Sequence, residues 1–289
     1  MQDCTSVVLD NCTIRNVGNI GVRVEGGSSC GVQNSKIYGL GQGIGLSGGN
    51  RYTLVGAGHY ARNNEIHGFG RWIKAYQPAI GLYGVGNEAS NNQIYNGADT
   101  GILCYQNNHL IQCNKIYNVA KETSDAGGIY SYWGWDTRGS LIKWNCIYDL
   151  IDSVPGGTGL WGIYLDGYTS GTTLYGNIID NISPGSSGSA YTGGVLLNGG
   201  RDNEINGCII TYTPNAIVAG EWCAYPVNQA AAQRTRVSEF NYQSSPWSTT
   251  YPTLAAIPAA GDISNYAHPG GCKIINTVEK WNTNWTKTT

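Results

Sequence analysis

The sequence predicts an all-β protein, a single-stranded right-handed parallel β-helix (solenoid) of about nine coils, from two interleaved ladders and a composition suited to tight bends. The first ladder is a small or polar residue placed two before an isoleucine: Cys12/Ile14, Ser35/Ile37, Asn64/Ile66, Asn92/Ile94, Asn114/Ile116, Asn145/Ile147, Asn177/Ile179, Cys208/Ile210 and Cys272/Ile274. The isoleucines follow one another at 23, 29, 28, 22, 31, 32, 31 and 64 residues, roughly one coil with loops of variable length. Residues two apart in a strand share a face, so each pair is expected to point inward. Stacked coils then set an isoleucine column beside a column of Asn, Ser and Cys, whose polar groups can hydrogen-bond along the stack.

The second ladder runs through Gly21-Val22, Gly43-Ile44, Ala79-Ile80, Gly101-Ile102, Gly128-Ile129, Gly162-Ile163, Gly194-Val195 and Ala216-Ile217, which gives each coil at least two strands. Two residues further on stand Val24, Leu46, Leu82, Cys104, Ser131, Leu165, Leu197 and Ala219, the alternation of a half-buried strand. With 42 Gly, one Met, two Phe and 12% charged residues, the chain suits many short strands and bends better than helices. Propeller blades need about four antiparallel strands in 40 residues, and these repeats are shorter and lack hairpin turns in register.

One domain, 1–289, is expected, with a loop insertion at 221–271 packed on the solenoid after the Ala216-Ile217 strand. Within it Asn228 to Phe240 reads as a short helix, and Cys272-Lys273-Ile274-Ile275 as the restored last coil. The first strand begins at Val7, so an N-terminal cap is expected to be missing, and no signal peptide is visible in this chain. No stretch reaches the roughly 18 apolar residues of a membrane span. A net charge of −2 and a pI near 6.1 leave no basic stripe, so neither nucleic acid nor membrane is an expected partner. Nine cysteines without a CxxC pair argue against zinc, and three of them occupy ladder positions as small buried side chains.

The position three after each Val/Ile of the second ladder should face outward, and it reads Glu25, Ser47, Tyr83, Tyr105, Tyr132, Asp166, Asn198 and Gly220. Tyrosines in neighbouring coils suit sugar rings, whose apolar faces stack while their hydroxyls find phenol oxygens. Acids, arginines and tryptophans gather nearby: Asp125, Trp135, Asp136 and Arg138 in one coil, Asp166 in the next, Arg201 in the one after. Glycoside hydrolysis needs two carboxylates flanking one bond, and Asp166 with Asp125 or Asp136 can supply them. Straight strands would separate Asp125 from Asp166 by about 23 Å unless a bulge near Gly127-Gly128 shifts the register. Arg138 and Arg201 are candidates for binding substrate or for ion pairs with Asp136 or Asp202, and His109 for a proton-transferring or hydrogen-bonded loop residue.

Five segments carry a family resemblance: Glu122-Thr123-Ser124-Asp125-Ala126-Gly127, Gly162-Ile163-Tyr164-Leu165-Asp166, Ser170-Gly171-Thr172-Thr173-Leu174-Tyr175-Gly176-Asn177, Gly199-Gly200-Arg201-Asp202-Asn203 and Pro246-Trp247-Ser248. In that order the chain resembles bacterial right-handed parallel β-helix proteins, and among groups of assigned chemistry glycoside hydrolase family 141, which includes fucosidase and xylanase activities. The resemblance implies a secreted or periplasmic enzyme with two catalytic aspartates, matched by Asp125 and Asp166, with Asp136 in reserve. The expectation is therefore hydrolysis of a complex polysaccharide or oligosaccharide without a cofactor. Tyr83, Tyr105, His109, Tyr132, Trp135, Arg138, Asn198 and Arg201 are the candidate substrate contacts. The alternatives are a polysaccharide lyase on the same fold, for which calcium is possible, and a glycan-binding protein without catalysis.

Overall fold

The computed structural model describes residues 1–220, 226–266, 268 and 270–280. Three parallel sheets run along the molecule, two of nine strands and one of eight. The first runs from Val8–Asp10 to Lys273–Ile275, the second from Thr13–Arg15 to Val278–Lys280, and the third from Ile20–Glu25 to Asn215–Gly220. Each strand pairs in parallel with its equivalent one coil away, as Ile94 does with Ile66 and Ile116. This is the expected solenoid with one strand more per coil than the two ladders reveal. The additional strand, typified by Leu110–Gln112, has three residues and one buried side chain, too few for an alternation to be read.

Only two residues join the first sheet to the second. The leading one takes a left-handed conformation, as at Asn34, Asn63, Asn91, Cys113, Trp144 and Gly176, and the following one is the ladder residue. The ladder asparagines thus sit in bends and not in strands, and their side chains turn inward. Asn92 donates its backbone N–H and its side-chain amide to Oδ1 of Asn114, at 3.0 and 2.9 Å, and the amide donates also to the carbonyl of Ala61 at 2.9 Å. The unit repeats from Asn64 through Asn177, with Ser35 accepting at one end and Cys208 at the other. It satisfies backbone donors that a buried bend would otherwise strand. Beside it the ladder isoleucines of the second sheet, Ile37, Ile66, Ile94, Ile116, Ile147, Ile179 and Ile210, are fully buried.

The last pair departs from this scheme. Ile274 pairs with Ile205 in the first sheet, whereas Glu279 is the partner of Ile210. Cys272 therefore belongs to a second inward stack, at the entry to the first sheet: Cys30, His59, Asn87, His109, Ser140, Thr172, Asn203 and Cys272. The expectation of a substrate-side His109 is corrected by the same observation. Its Nδ1 accepts the N–H of Asn87 at 3.2 Å, its Nε2 lies 2.9 Å from the carbonyl of Tyr105, and the ring is buried. It does in its coil what Asn87 does in the preceding one.

The insertion packs against the outside of the solenoid through helix α1, Pro226–Ser238, and the short turns α2, Trp247–Thr250, and α3, Pro252–Ala255. Residues 221–225, 267 and 269 of the expected insertion lie outside the described residues. Val237, Tyr242, Trp247, Leu254 and Ile257 form a second apolar core with Trp135 and Tyr168 of the solenoid. Among the described residues eight cysteines are free.

Two outcomes follow from the stacks. Asn114→Leu leaves the backbone N–H of Asn92 and one of its two amide hydrogens buried without an acceptor, and should cost about 3 kcal/mol or more in urea denaturation. Burial lowers the His109 pKa to about 4, so between there and the ordinary 6.5 the unfolded chain holds a proton that the folded chain does not. Stability should accordingly fall as pH drops through that window, by on the order of 3 kcal/mol from this residue. His109→Asn, which keeps an acceptor at the same place, should flatten the fall when melts are compared at pH 7 and pH 4.5.

Candidate active site

The third sheet bends at its Gly-Ile step. Leu160 is in the core and Trp161 faces out, but Gly162 and Ile163 both face in: a Cβ on Gly162 would meet Ile179 at 2.5 Å. The ladder skips this step, running from Gly127↔Trp161 to Ile129↔Ile163. The outer face thereby carries Trp161 and Tyr164 on either side of the bend, packed with Tyr130 and Leu196. Straight-strand geometry does not hold across it, and the 23 Å expectation does not describe the two aspartates, which line one recess and act on each other's charge.

Asp125 stands just before the strand Ala126–Ser131 in a left-handed conformation, and Asp166 just after the strand Leu160–Leu165. Two tyrosines cross between these coils. Tyr130 donates to Oδ2 of Asp166 at 2.6 Å, and Tyr164 of the next coil donates back to Oδ1 of Asp125 at 3.2 Å. The rings stand in register and meet edge to face, 5.0 Å between centroids. Asn198 donates to Oδ1 of Asp166 at 2.7 Å, so both oxygens of that carboxylate accept hydrogen bonds. Asp125 is exposed as a residue, but the protein packed around its carboxyl partly desolvates it, and this, then the charge of Asp166, raise its pKa against the opposing bond from Tyr164. Burial and the two carboxylates push both tyrosines well above the ordinary phenol range, which keeps them donors. A recess of about 190 Å³ lies over Asp125, Tyr164, Asp166, Tyr191 and Asn198. A second, of about 140 Å³, opens on the other side of Asp125.

A sequence profile described as a right handed beta helix region matches residues 1–134 and 56–231. The chain belongs to this right-handed β-helix family. No curated protein matches it. Among solved structures, a complex of XylC with xylose is similar at 12% identity and a TM-score of 0.40, over 91% of this chain and 54% of that one. The chain thus spans about half the length of that structure.

In this right-handed β-helix, the other expected site residues distribute differently. Asn198 joins the aspartate pair, and Tyr132 flanks it with its ring centroid 6.0 Å from that of Tyr130. Tyr83 and Tyr105 line a separate recess toward the N-terminal coils. Asp136 is fully buried, and the expectation of a reserve catalytic acid is corrected: it pairs with Arg51 at 2.6 Å and with Arg236 of α1. Trp135 is buried under the insertion, not presented to substrate. Arg138 is buried against Asp202 at 2.6 Å and against the carbonyl of Trp135 at 2.9 Å, so it fastens two coils. Arg201 bonds the carbonyl of His268 at 2.8 Å and covers the ring of Tyr266, away from the aspartates. His109 lies inside the coil, as described above. The residues that the outward stripe missed are Tyr130 and Tyr164. They sit one after the ladder isoleucine, where alternation also points outward.

Arg236 links the insertion to the site region, since it bonds both Asp136 and, at 2.7 Å, the hydroxyl of Tyr105. Arg236→Ala leaves a buried carboxylate with one of its two cations and should destabilise by about 2 kcal/mol or more. Limited proteolysis should then cut within residues 226–266 while the coils resist; cleavage at the wild-type rate would show that the contact does not hold the insertion down.

Proposed function

We propose that this protein is a glycoside hydrolase acting on a polysaccharide or oligosaccharide, with Asp125 as the proton donor and Asp166 as the ionised partner. The observation that carries the reading is the asymmetry of the pair. Asp166 accepts at both oxygens, the arrangement of an ionised carboxylate, while Asp125, at the exposed edge of the recess, is held toward its protonated form by partial desolvation and by its neighbour's charge. Two carboxyl groups in unlike environments beside one recess are what glycosidic cleavage requires. One protonates the leaving oxygen, and the other either attacks the anomeric carbon or activates a water. Tyr130 and Asn198 fix the orientation of Asp166, and Tyr164 bonds the acid.

A lyase on this fold would abstract a proton with a Lys or Arg base, and the described residues lining either recess include neither. Nor do the residues fit a calcium site. No group of three or more His, Cys, Asp or Glu suited to a metal occurs among the described residues, and the oxygens of Asp166 already accept from Tyr130 and Asn198. A polymeric glycan substrate accords with action outside the cell membrane, so we propose a secreted or periplasmic enzyme.

Asp166→Asn should lower turnover at least 10³-fold on any glycan that the wild type cleaves; unchanged hydrolysis would remove Asp166 from the chemistry. In the pH profile of kcat/KM, the alkaline limb should report Asp125 losing its proton. Tyr130→Phe, which strips one donor from Asp166, should reduce kcat by about 10- to 100-fold with a smaller change in KM.

A further inference from the structure

The second recess, on the far side of Asp125 from Asp166, is bounded by the loop that precedes the strand Ile80–Val85. Tyr76, Asp99, Leu103, Thr123, Asp125 and Tyr130 are among its lining residues. Two features of its loop bear on what the recess could hold. Trp72, Ile73 and Tyr76 are 67, 67 and 65% exposed, three large apolar side chains in five residues. Tyr76 also holds a left-handed backbone at φ 56°, as Trp144, Tyr168 and Tyr212 do elsewhere in the chain, a conformation costly for an aromatic residue that its surroundings must hold in place.

The strain has a visible counterweight. Asp99 is buried at the back of the recess, where its Oδ2 accepts the N–H of Gln77 at 2.7 Å and its Oδ1 the hydroxyl of Thr123 at 2.9 Å. The backbone of Tyr76 bonds to it as well. A second tie, Lys74 to Glu122 at 3.0 Å, joins the loop to the segment that leads into Asp125. The loop is thus fastened to the coil that carries the acid, with the Tyr76 ring left uncovered at the recess.

We propose that Tyr76, presented by the Asp99 clasp, is a stacking platform for one neutral sugar ring on the leaving-group side of Asp125. The side follows from the reading of Asp125 as proton donor, on which this proposal rests: the reacting ring must lie by Asp166, so the ring that departs lies across Asp125. The platform follows from the uncovered aromatic face, which suits the C–H face of a pyranose. The neutral character follows from charge. Asp99 and Asp125 line the recess with no cationic side chain beside them, and the cations of the loop face elsewhere. Arg71 covers the ring of Trp72 and bonds the carbonyl of Gly39, and Lys74 is paired with Glu122. A uronate or sulfated unit would find no cation there to pair with and would have the buried Asp99 behind it.

The test uses full-length Asp166→Asn protein and an array of neutral and uronate-containing oligosaccharides, with affinities of the hits measured by calorimetry. Neutral glycans should bind, Tyr76→Ala in the same background should weaken them by about tenfold, and Tyr76→Phe should stay within about threefold. Retention confined to uronate glycans, no retention at all, or full affinity in Tyr76→Ala would each overturn the proposal. Because Tyr76 is mostly exposed, its variants should melt with the parent, and a melt checks this. Wild-type turnover separates this proposal from the hydrolase reading. Tyr76-dependent binding without turnover keeps the platform and ends the hydrolase reading. Turnover that requires Asp166, with KM unmoved by Tyr76→Ala, does the reverse.

Discussion

The hydrogen bond from one bend to the next, made by the inward asparagine column, is the constraint on which the rest of the structure depends. A bend between two three-residue strands buries an N–H that neither sheet can use, and the amide of the next coil accepts it, as Asn114 does for Asn92. Because each asparagine both accepts from the coil below and donates to the coil above, the spacing between coils is set at the bend. Loops then vary in length without disturbing the register, which is why coils of 22 and 32 residues stack alike. Residues far apart in sequence on the outer face are brought within side-chain reach by a repeat they do not themselves maintain.

The candidate site is a direct product of that register. Tyr130 and Tyr164 occupy equivalent positions in successive coils, and each reaches the carboxylate of the other's coil. Neither aspartate lies within its strand; one precedes and the other follows. The bend at Gly128 and Gly162 and the length of two phenols close the interval between them. Loss of the Cβ at those glycines is required, since a side chain there would strike the isoleucine column and the backbone of the next coil. The candidate site outside and the packing inside therefore depend on the same few residues.

Much of this was legible in the chain. Isoleucine spacing marks the coils, and the Gly-Ile ladder marks the outer face on which Asp166 and Asn198 lie. Where reading failed, the reasons are physical. Cys272 repeats the local pattern of Cys208, but after the insertion the chain re-enters at the first sheet, so its pair belongs to the other stack. His109 looks like a loop histidine because its immediate neighbours in the stack are Asn87 and Ser140, which share an acceptor and not a residue type; His59, two coils back, accepts through Nδ1 as His109 does. Arg138 with Asp202, and Asp136 with Arg51 and Arg236, pair over 64, 85 and 100 residues, and no local pattern announces such partners. Tyr130 and Tyr164 were readable, since alternation sends the residue next to each ladder isoleucine outward.

Everything proposed for the site requires that Asp125 and Asp166 be one electrostatically coupled pair. It is tested most directly by following the side-chain carboxyl carbons in ¹³C NMR across an acid titration, in wild type and in Asp166→Asn. Asp125 should titrate above the ordinary aspartate range and move down when Asp166 loses its charge. An Asp125 that titrates as a free aspartate, indifferent to the substitution, would contradict it.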